Sequence, residues 1–271
     1  MRLERAGSIP LDLTGRTALV TGSTSGIGYA IAARLVEAGA DVIINGRDAD
    51  RLEAAVLSLD EESVESVRGI TADASTAEGA EQLVAEAGHV DILVNNLGIF
   101  EAVPALDITD EQWRSMLEVN VLAAARLTRL LLPGMSARSW GRVINIASDS
   151  AVVIPEEMIH YGVSKTALLA VSRGFAKAAA GTGVTVNSVI AGPTHTPGVE
   201  TFVRQLVGDE LDWDAAQREF MRLHRPQSLI GRLLEPIEIA NLVVYLSSPL
   251  ASGTTGGALR VDGGYVDSIL P

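Results

Sequence analysis

Short β-branched runs alternate along the chain with longer stretches whose apolar residues recur at helical spacing. Seven runs read as strands: Thr17–Thr21, Asp41–Asn45, Val64–Ile70, Asp91–Asn95, Arg142–Ala147, Val184–Ile190 and Ala258–Val261. Helix-like stretches lie between them near 27–38, 48–59, 76–87, 109–132, 158–180 and 235–247. Runs such as Ile92–Val94 and Val143–Ile146 are nearly continuous in apolar residues, as expected of strands covered on both faces. The alternation predicts an α/β chain, a Rossmann-like doubly wound parallel sheet of about seven strands with helices on both faces. Thr109 followed by Gln112 forms a capping-box pattern, and Pro236 fits a first helical turn, where no amide hydrogen is needed.

One stretch breaks the pattern. Residues 192–234 carry Phe202, Leu206, Trp213, Phe220, Met221 and Leu223 at helix-like spacing, with Pro193, Pro197 and Pro226 around them. Such an insertion reads either as a substrate-binding loop or helical lid, or as a helical excursion packed on the surface. No Pro/Gly linker, repeat or low-complexity tract divides the 271 residues, so a single domain over 1–271 is expected.

Composition narrows the function. Acidic residues (34) outnumber basic ones (21), a formal charge of −13 that argues against phosphate neutralisation on nucleic acid. Absence of cysteine excludes disulfides, thiolate catalysis and cysteine-ligated metal. The first ten residues scatter charges through no apolar core, and no apolar run nears the ~20 residues that span a bilayer. A cytoplasmic protein that binds neither membrane nor nucleic acid is expected. His89 and His224 show no ligand spacing with carboxylates, so no metal site is expected.

Thr21 and the turn Gly22, Ser23, Thr24, Ser25, Gly26, Ile27 and Gly28 follow the first strand and open a helix. In that context glycines permit a tight turn and close approach of backbone to a diphosphate, while the helix start offers free amides and partial positive charge. The spacing is Gly-x3-Gly-x-Gly, and a purely structural turn is the competing reading. The second strand ends at Asn45, an expected cofactor contact, without the carboxylate that commonly accepts from an NAD ribose, and Arg47 stands where a 2′-phosphate could bind. NADP is therefore expected, with NAD possible; the alternative is that Arg47 is a solvated charge beside an Asp48 helix cap.

Tyr161 and Lys165 share a helix face, one turn apart, and a neighbouring cation lowers a tyrosine pKa from its reference of ~10 toward working pH. A general acid works best with its pKa near that pH. The pair alone is a common surface contact. Ser148 and Asn95-Asn-Leu-Gly98 both end strands, where ligands bind in open α/β sheets, and Asn120 is an amide among apolar helix residues that needs a partner.

Taken together, Thr21–Gly28, Asp73, Asn95–Gly98, Asn120, Ser148, Tyr161, Lys165 and the Asn187–Thr196 segment resemble the short-chain dehydrogenase/reductase family in its compact form, from about residue 13 to Gly264. The resemblance implies NAD(P)-dependent hydride transfer between nicotinamide and a carbonyl or secondary alcohol. It implies that Tyr161 is the acid/base, that Lys165 lowers its pKa and binds the nicotinamide ribose, that Ser148 orients the substrate oxygen and that Asn120 holds a relay water. For the cofactor it implies Asp73 and Ala74 at the adenine, Asn95 on the adenosine side with Asn96 and Gly98 beside it, and Ile190 and Thr194 at the nicotinamide amide. Leu97 and Ala191 depart from the family's Asn-Asn-Ala-Gly and Pro-Gly patterns without removing a catalytic group. A small-molecule carbonyl or alcohol substrate and a homo-oligomer, tetramer or dimer, are implied, the apolar tail from Ile269 joining that interface or fraying. Non-catalytic dinucleotide sensing is the alternative from another class. Among enzymes, a 3-oxoacyl thioester reductase and a sugar or polyol dehydrogenase stay open. His160 is expected to be structural, Asp149, Glu156 and Glu157 to be solvated loop charges, and His195 to be a possible substrate contact.

Overall fold

The apolar runs lie side by side as β1 (Thr17–Val20), β2 (Asp41–Gly46), β3 (Val67–Thr71), β4 (Ile92–Asn95), β5 (Gly141–Ser148), β6 (Val184–Ala191) and β7 (Ala258–Val261). They form one parallel sheet in the order β3-β2-β1-β4-β5-β6-β7. The computed structural model describes residues 11–60 and 66–269. The expected start of the third strand at Val64, the first ten residues and the tail beyond Ile269 lie outside them.

Alternate side chains of each strand feed opposite layers. Ala18, Val20, Val42 and Ile44 pack with Ile31 and Leu35 of α1 (Gly26–Glu37), Leu52 of α2 (Ala49–Asp60) and Ile239 and Val243 of α9 (Pro236–Ser247). On the other face Leu19, Ile43, Leu93 and Val143 pack with Leu83 of α3 (Ala77–Ala87), Leu127 and Leu131 of α5 (Ala123–Ala137) and Ala176 of α6 (Ile159–Ala178). Both faces are thus dry, which is why the strands lack the polar alternation of a half-exposed sheet. The order reverses between β1 and β4, and a crevice opens there at the carboxyl ends.

Local chemistry sets the helix starts. Thr109 and Gln112 form the capping box ahead of α4 (Asp110–Leu117), and Pro236 occupies the first turn of α9 behind a Glu235–Glu238 box. The helix expected over 109–132 differs in two ways. It runs through Pro133 to Ala137, and between α4 and α5 it widens into a π turn, Glu118–Leu122, around Asn120. The 192–234 excursion is helical: α7 (Pro197–Val207) and α8 (Trp213–His224) bury Phe202, Val203, Phe220 and Met221 against Met158 and Leu233. Thr194 and Leu234 pair as an isolated bridge, so the two ends of the excursion are clamped beside β6. Among the described residues no helix is long and apolar enough to cross a membrane.

Candidate active site

The turn after β1 is held by its neighbours. Gly22 and Gly26 take φ of +60° and +59°, a left-handed backbone that favours glycine. A Cβ on Gly28 would stand 2.4 Å from Asn96 Nδ2 and 2.5 Å from the Gly22 carbonyl oxygen, so only glycine lets the helix start so close. The Ser25 side chain caps nothing, which leaves the first amides of α1 without a side-chain acceptor at the cleft that Ser25, Gly26, Ile27 and Gly28 line. An anion with closely approaching oxygens fits this cradle. Asn96 donates through Nδ2 to the carbonyls of Thr21 and Gly22, at 3.0 and 2.9 Å, while the Thr21 hydroxyl accepts from the amides of Asn96 and Leu97. Ser23 is buried beneath the turn, its hydroxyl donating to Val20 and accepting from the Asn45 amide. Thr24 packs its methyl where a Cβ of Gly46 would fall.

Arg47, Asp73 and Ala74 lie further along the same sheet edge. The exposed Arg47 guanidinium comes within 3.9 Å of the Asp73 carboxylate. Burial pushes Asp73 up, but hydrogen bonds from the Ser75 hydroxyl and amide and the charge of Arg47 outweigh it and hold the carboxyl below its ordinary value. Ala74 is buried.

Besides Ser23, three residues expected at the cofactor have their side chains elsewhere. Asn45 donates to the carbonyls of Ile70 and Ala72 and so pins β2 to β3. Asn95 donates to Thr128 and Asn145, bracing β4 against α5 and β5. Ile190 is fully buried within the sheet, and the cleft wall is made by the following Ala191–Thr194. The neighbouring elements take the Nδ2 donors of both amides, while Asn95 Oδ1 is buried without a protein partner.

Ser148, at the end of β5, and Tyr161 and Lys165, on one face of α6, meet in the cleft that begins at the glycine turn. Ser148 Oγ donates to Asp149 Oδ1 at 2.9 Å and accepts from the Ser150 amide. Lys165 is buried; its Nζ donates to the Ile146 carbonyl oxygen at 2.9 Å and lies 5.8 Å from the centre of the Tyr161 ring. Burial pushes the ammonium down to about 8. It pushes the Tyr161 phenol up to about 12, against the opposing Ser148 hydroxyl and with Asp149 adding to the rise. The expected lowering of the tyrosine by its lysine is therefore not what the free protein holds: the ammonium is tied to β5, and desolvation governs both groups.

Asn120 is fully engaged by the protein. Its Oδ1 accepts from the Ile99 amide, and its Nδ2 donates to the Ile99 carbonyl and the Ser164 hydroxyl, both at 2.9 Å. The π turn sets this amide between the loop after β4 and α6, so its side chain is a brace beside Tyr161 and Lys165. Gly98 fits between Asn120 and Lys165, where a Cβ would meet both at 3.3 Å.

Several cleft residues escaped the sequence reading. Asp149, expected to be a solvated charge, is buried, and desolvation raises its carboxyl despite Arg225 and the Ser148 and Ser150 hydrogen bonds. Phe100 stands edge-on to Tyr161 and to Phe202, and Phe220 and Arg225 of the excursion close the same cleft. The only advance signals were the place of Asp149 directly after a strand-end serine and the apolar stripe of the excursion. Thr194 lines the cleft as expected. His195 instead stacks on Trp213, with Glu200 3.8 Å away, and His160 is buried with Nε2 3.2 Å from Glu101.

Known proteins share this arrangement. The family model described as enoyl-(acyl carrier protein) reductase matches residues 22–266. The oxidoreductase YvaG of Bacillus subtilis is 49% identical over 261 residues, covering 96% of this chain and 99% of its own. D-beta-hydroxybutyrate dehydrogenase of Cupriavidus necator is 36% identical over 260 residues, covering 94% and 99%. L-sorbose reductase from Gluconobacter frateurii, solved with NADPH and L-sorbose, superposes with a TM-score of 0.90 at 35% identity, covering 96% of this chain and all of that one. With the glycine turn, the strand-end serine and the tyrosine–lysine pair in one cleft, the chain belongs to the short-chain dehydrogenase/reductase family.

Proposed function

We propose that the protein is an NADP-dependent oxidoreductase that interconverts a carbonyl and a secondary alcohol, with Tyr161 as the proton donor and acceptor. One observation carries the reading: Ser148, Tyr161 and Lys165 line a single cleft whose other wall is the uncapped start of α1. NADPH, when bound, supplies the hydride, and the residues around it supply position and proton. The amides of Ser25–Gly28 hold the diphosphate, and Arg47 and Asp73 hold the adenosine end, with the guanidinium on the 2′-phosphate. Lys165 keeps one N–H on Ile146, leaving two donors for the nicotinamide ribose.

In reduction the Tyr161 hydroxyl gives its proton to the carbonyl oxygen, and Ser148 Oγ turns its hydrogen from Asp149 to that same oxygen. In oxidation the phenolate takes the proton back, with the Lys165 charge beside it. Asn120 acts by holding α6 at its height against the loop after β4. The half-exposed edge strand β7, with the exposed Tyr245 and Leu250 nearby and Leu117, Leu122 and Val163 on the α4–α6 side, supports a homo-oligomer, a tetramer or dimer.

The test is turnover. Purified protein with NADPH and a panel of ketones and aldehydes, or with NADP+ and secondary alcohols, is expected to change absorbance of the reduced nicotinamide for a subset of substrates. Tight NADPH binding with no turnover across the panel would favour a sensing role over an enzyme.

A further inference from the structure

Two buried polar atoms, on residues that line the substrate cleft, have no protein partner. The first is Asp149 Oδ2; Oδ1 of the same carboxylate takes the hydrogen bonds from the Ser148 hydroxyl and the Ser150 amide. The second is Nε of Arg225, at the end of α8. Both residues are more than nine-tenths buried, at 4% and 8% exposure, and both line the cleft that holds Tyr161. The Arg225 guanidinium is held in place by the His224 carbonyl, which accepts from Nη1 at 2.7 Å, and by the rings of Phe220 and Tyr265, each 5.3 Å from its central carbon. It influences Asp149 electrostatically without a hydrogen bond to it. Eight buried side-chain polar atoms among the described residues lack a protein partner, and Asp149 and Arg225 are the two residues among them that line the cleft, where a substrate group can supply one.

We propose that Asp149 and Arg225 form a recognition site for a hydroxyl group on the carbon next to the reacting carbonyl, so that the preferred substrates are α-hydroxyketones and the corresponding vicinal diols. This inference rests on the carbonyl–alcohol reading above and names its substrate class. A hydroxyl is at once donor and acceptor: it gives its hydrogen to Asp149 Oδ2 and accepts from Arg225 Nε. A carboxylate has no hydrogen to give to Asp149 Oδ2. A plain methyl would leave both atoms unpaired, the situation in which enzymes discriminate most strongly. Asp149 is the neighbour of Ser148 and hydrogen-bonded to it, which sets the carboxylate beside the hydroxyl proposed to hold the reacting oxygen. Phe100 and Phe202 offer the carbon face of the molecule an apolar wall. Arg225 thus gives the excursion a role in specificity that α7 and α8 alone do not reveal.

Two matched sets of ketones decide it. In 2-butanone, 1-hydroxy-2-butanone and 2-oxobutanoate the carbon next to the carbonyl is a methyl, a hydroxymethyl or a carboxylate. Acetophenone, 2-hydroxyacetophenone and phenylglyoxylate repeat the series on a larger frame. With NADPH, kcat/KM for the hydroxyketone should exceed that of both companions by about a hundredfold in at least one set. Arg225→Met and Asp149→Asn should each cut that ratio by tenfold or more. Ratios measured within one preparation are insensitive to the fraction of folded enzyme, and if a variant fails to fold, the wild-type ratios still decide. Equal rates across a set, or preference for the oxo acid, would overturn the proposal while leaving the oxidoreductase reading standing. No turnover of any of the six by protein that still quenches or shifts NADPH fluorescence would overturn the proposal, and the oxidoreductase reading falls with it only if the wider panel of ketones, aldehydes and alcohols also gives no turnover.

Discussion

Lys165 Nζ donates to the carbonyl oxygen of Ile146 while lying 5.8 Å from the centre of the Tyr161 ring. The lysine is therefore anchored to the sheet, and the tyrosine meets it across the helix face without a direct bond. Each group, taken alone, is disfavoured in its charged form by burial, the phenol at about 12 and the ammonium at about 8. The free protein holds a neutral phenol, the form required to donate a proton in reduction.

Removing that hydroxyl isolates the proton step. Tyr161→Phe should lower kcat by about a thousandfold, in the range that a positioned general acid contributes. The NADPH dissociation constant should stay within about threefold, because the anion cradle and Lys165 are untouched. Steady-state rates beside fluorescence titration check both, and near-normal turnover would exclude Tyr161 as the proton donor.

The lysine leaves a signature in stability. Its folded pKa, about 8, lies below the ordinary 10.5, so between these values the unfolded chain binds more protons than the folded one. Stability then rises with pH across that window, by up to about 3 kcal/mol for a shift of this size. Lys165→Met lacks the titrating group and should lack the rise. Urea unfolding of both proteins at pH 7.5 and 10 gives the comparison; the variant's advantage in stability should be largest at pH 7.5 and shrink at pH 10. Curves that move in parallel would show that Lys165 does not carry a depressed pKa.

Strand positions, the glycine turn and the shared face of Tyr161 and Lys165 were legible in the sequence because each rests on local chemistry or short spacing, whereas the joining of Ser148 to that pair came from the family resemblance. Apolar continuity marks a buried strand, and i,i+4 marks a shared helix face. The π turn was not legible, since a shift of backbone hydrogen-bond register around Asn120 needs no distinctive residue. Asn95 was expected at the adenosine from the family resemblance and Asn45 from its place at a strand end, but their side-chain donors found β3, α5 and β5 first. Asp149 and Arg225 were missed for a related reason. A charged residue in a loop is solvated by default, and only the folded cleft, in which both residues are buried, removes water from this pair.

Cofactor preference should turn on Arg47. Its guanidinium is exposed and close to Asp73, so it is free to meet a phosphate on the adenosine ribose. A hydrogen bond to a charged group is worth about 1.5–3 kcal/mol. Arg47→Asp should therefore reduce the ratio of kcat/KM for NADPH over NADH by about tenfold to a hundredfold, mostly through KM for NADPH. An unchanged ratio would mean that Arg47 is only a solvated charge.

Asn120 offers the sharpest separation of positioning from chemistry. Asn120→Ala removes the acceptor of the Ile99 amide and the donor to Ser164 and the Ile99 carbonyl, in a place water does not readily reach. Leaving such groups unpaired costs about 1–3 kcal/mol each. For a chain of this size that corresponds to a fall in Tm of at least about 4 °C. Because Ser164 lies beside Lys165 on α6, loosening this brace should also lower kcat, yet by far less than Tyr161→Phe, and the bell or sigmoid of the pH–rate profile should keep its inflection. Thermal unfolding and pH–rate curves on one preparation read both effects. A loss as deep as that of Tyr161→Phe, with Tm unchanged, would instead place Asn120 in the proton path itself.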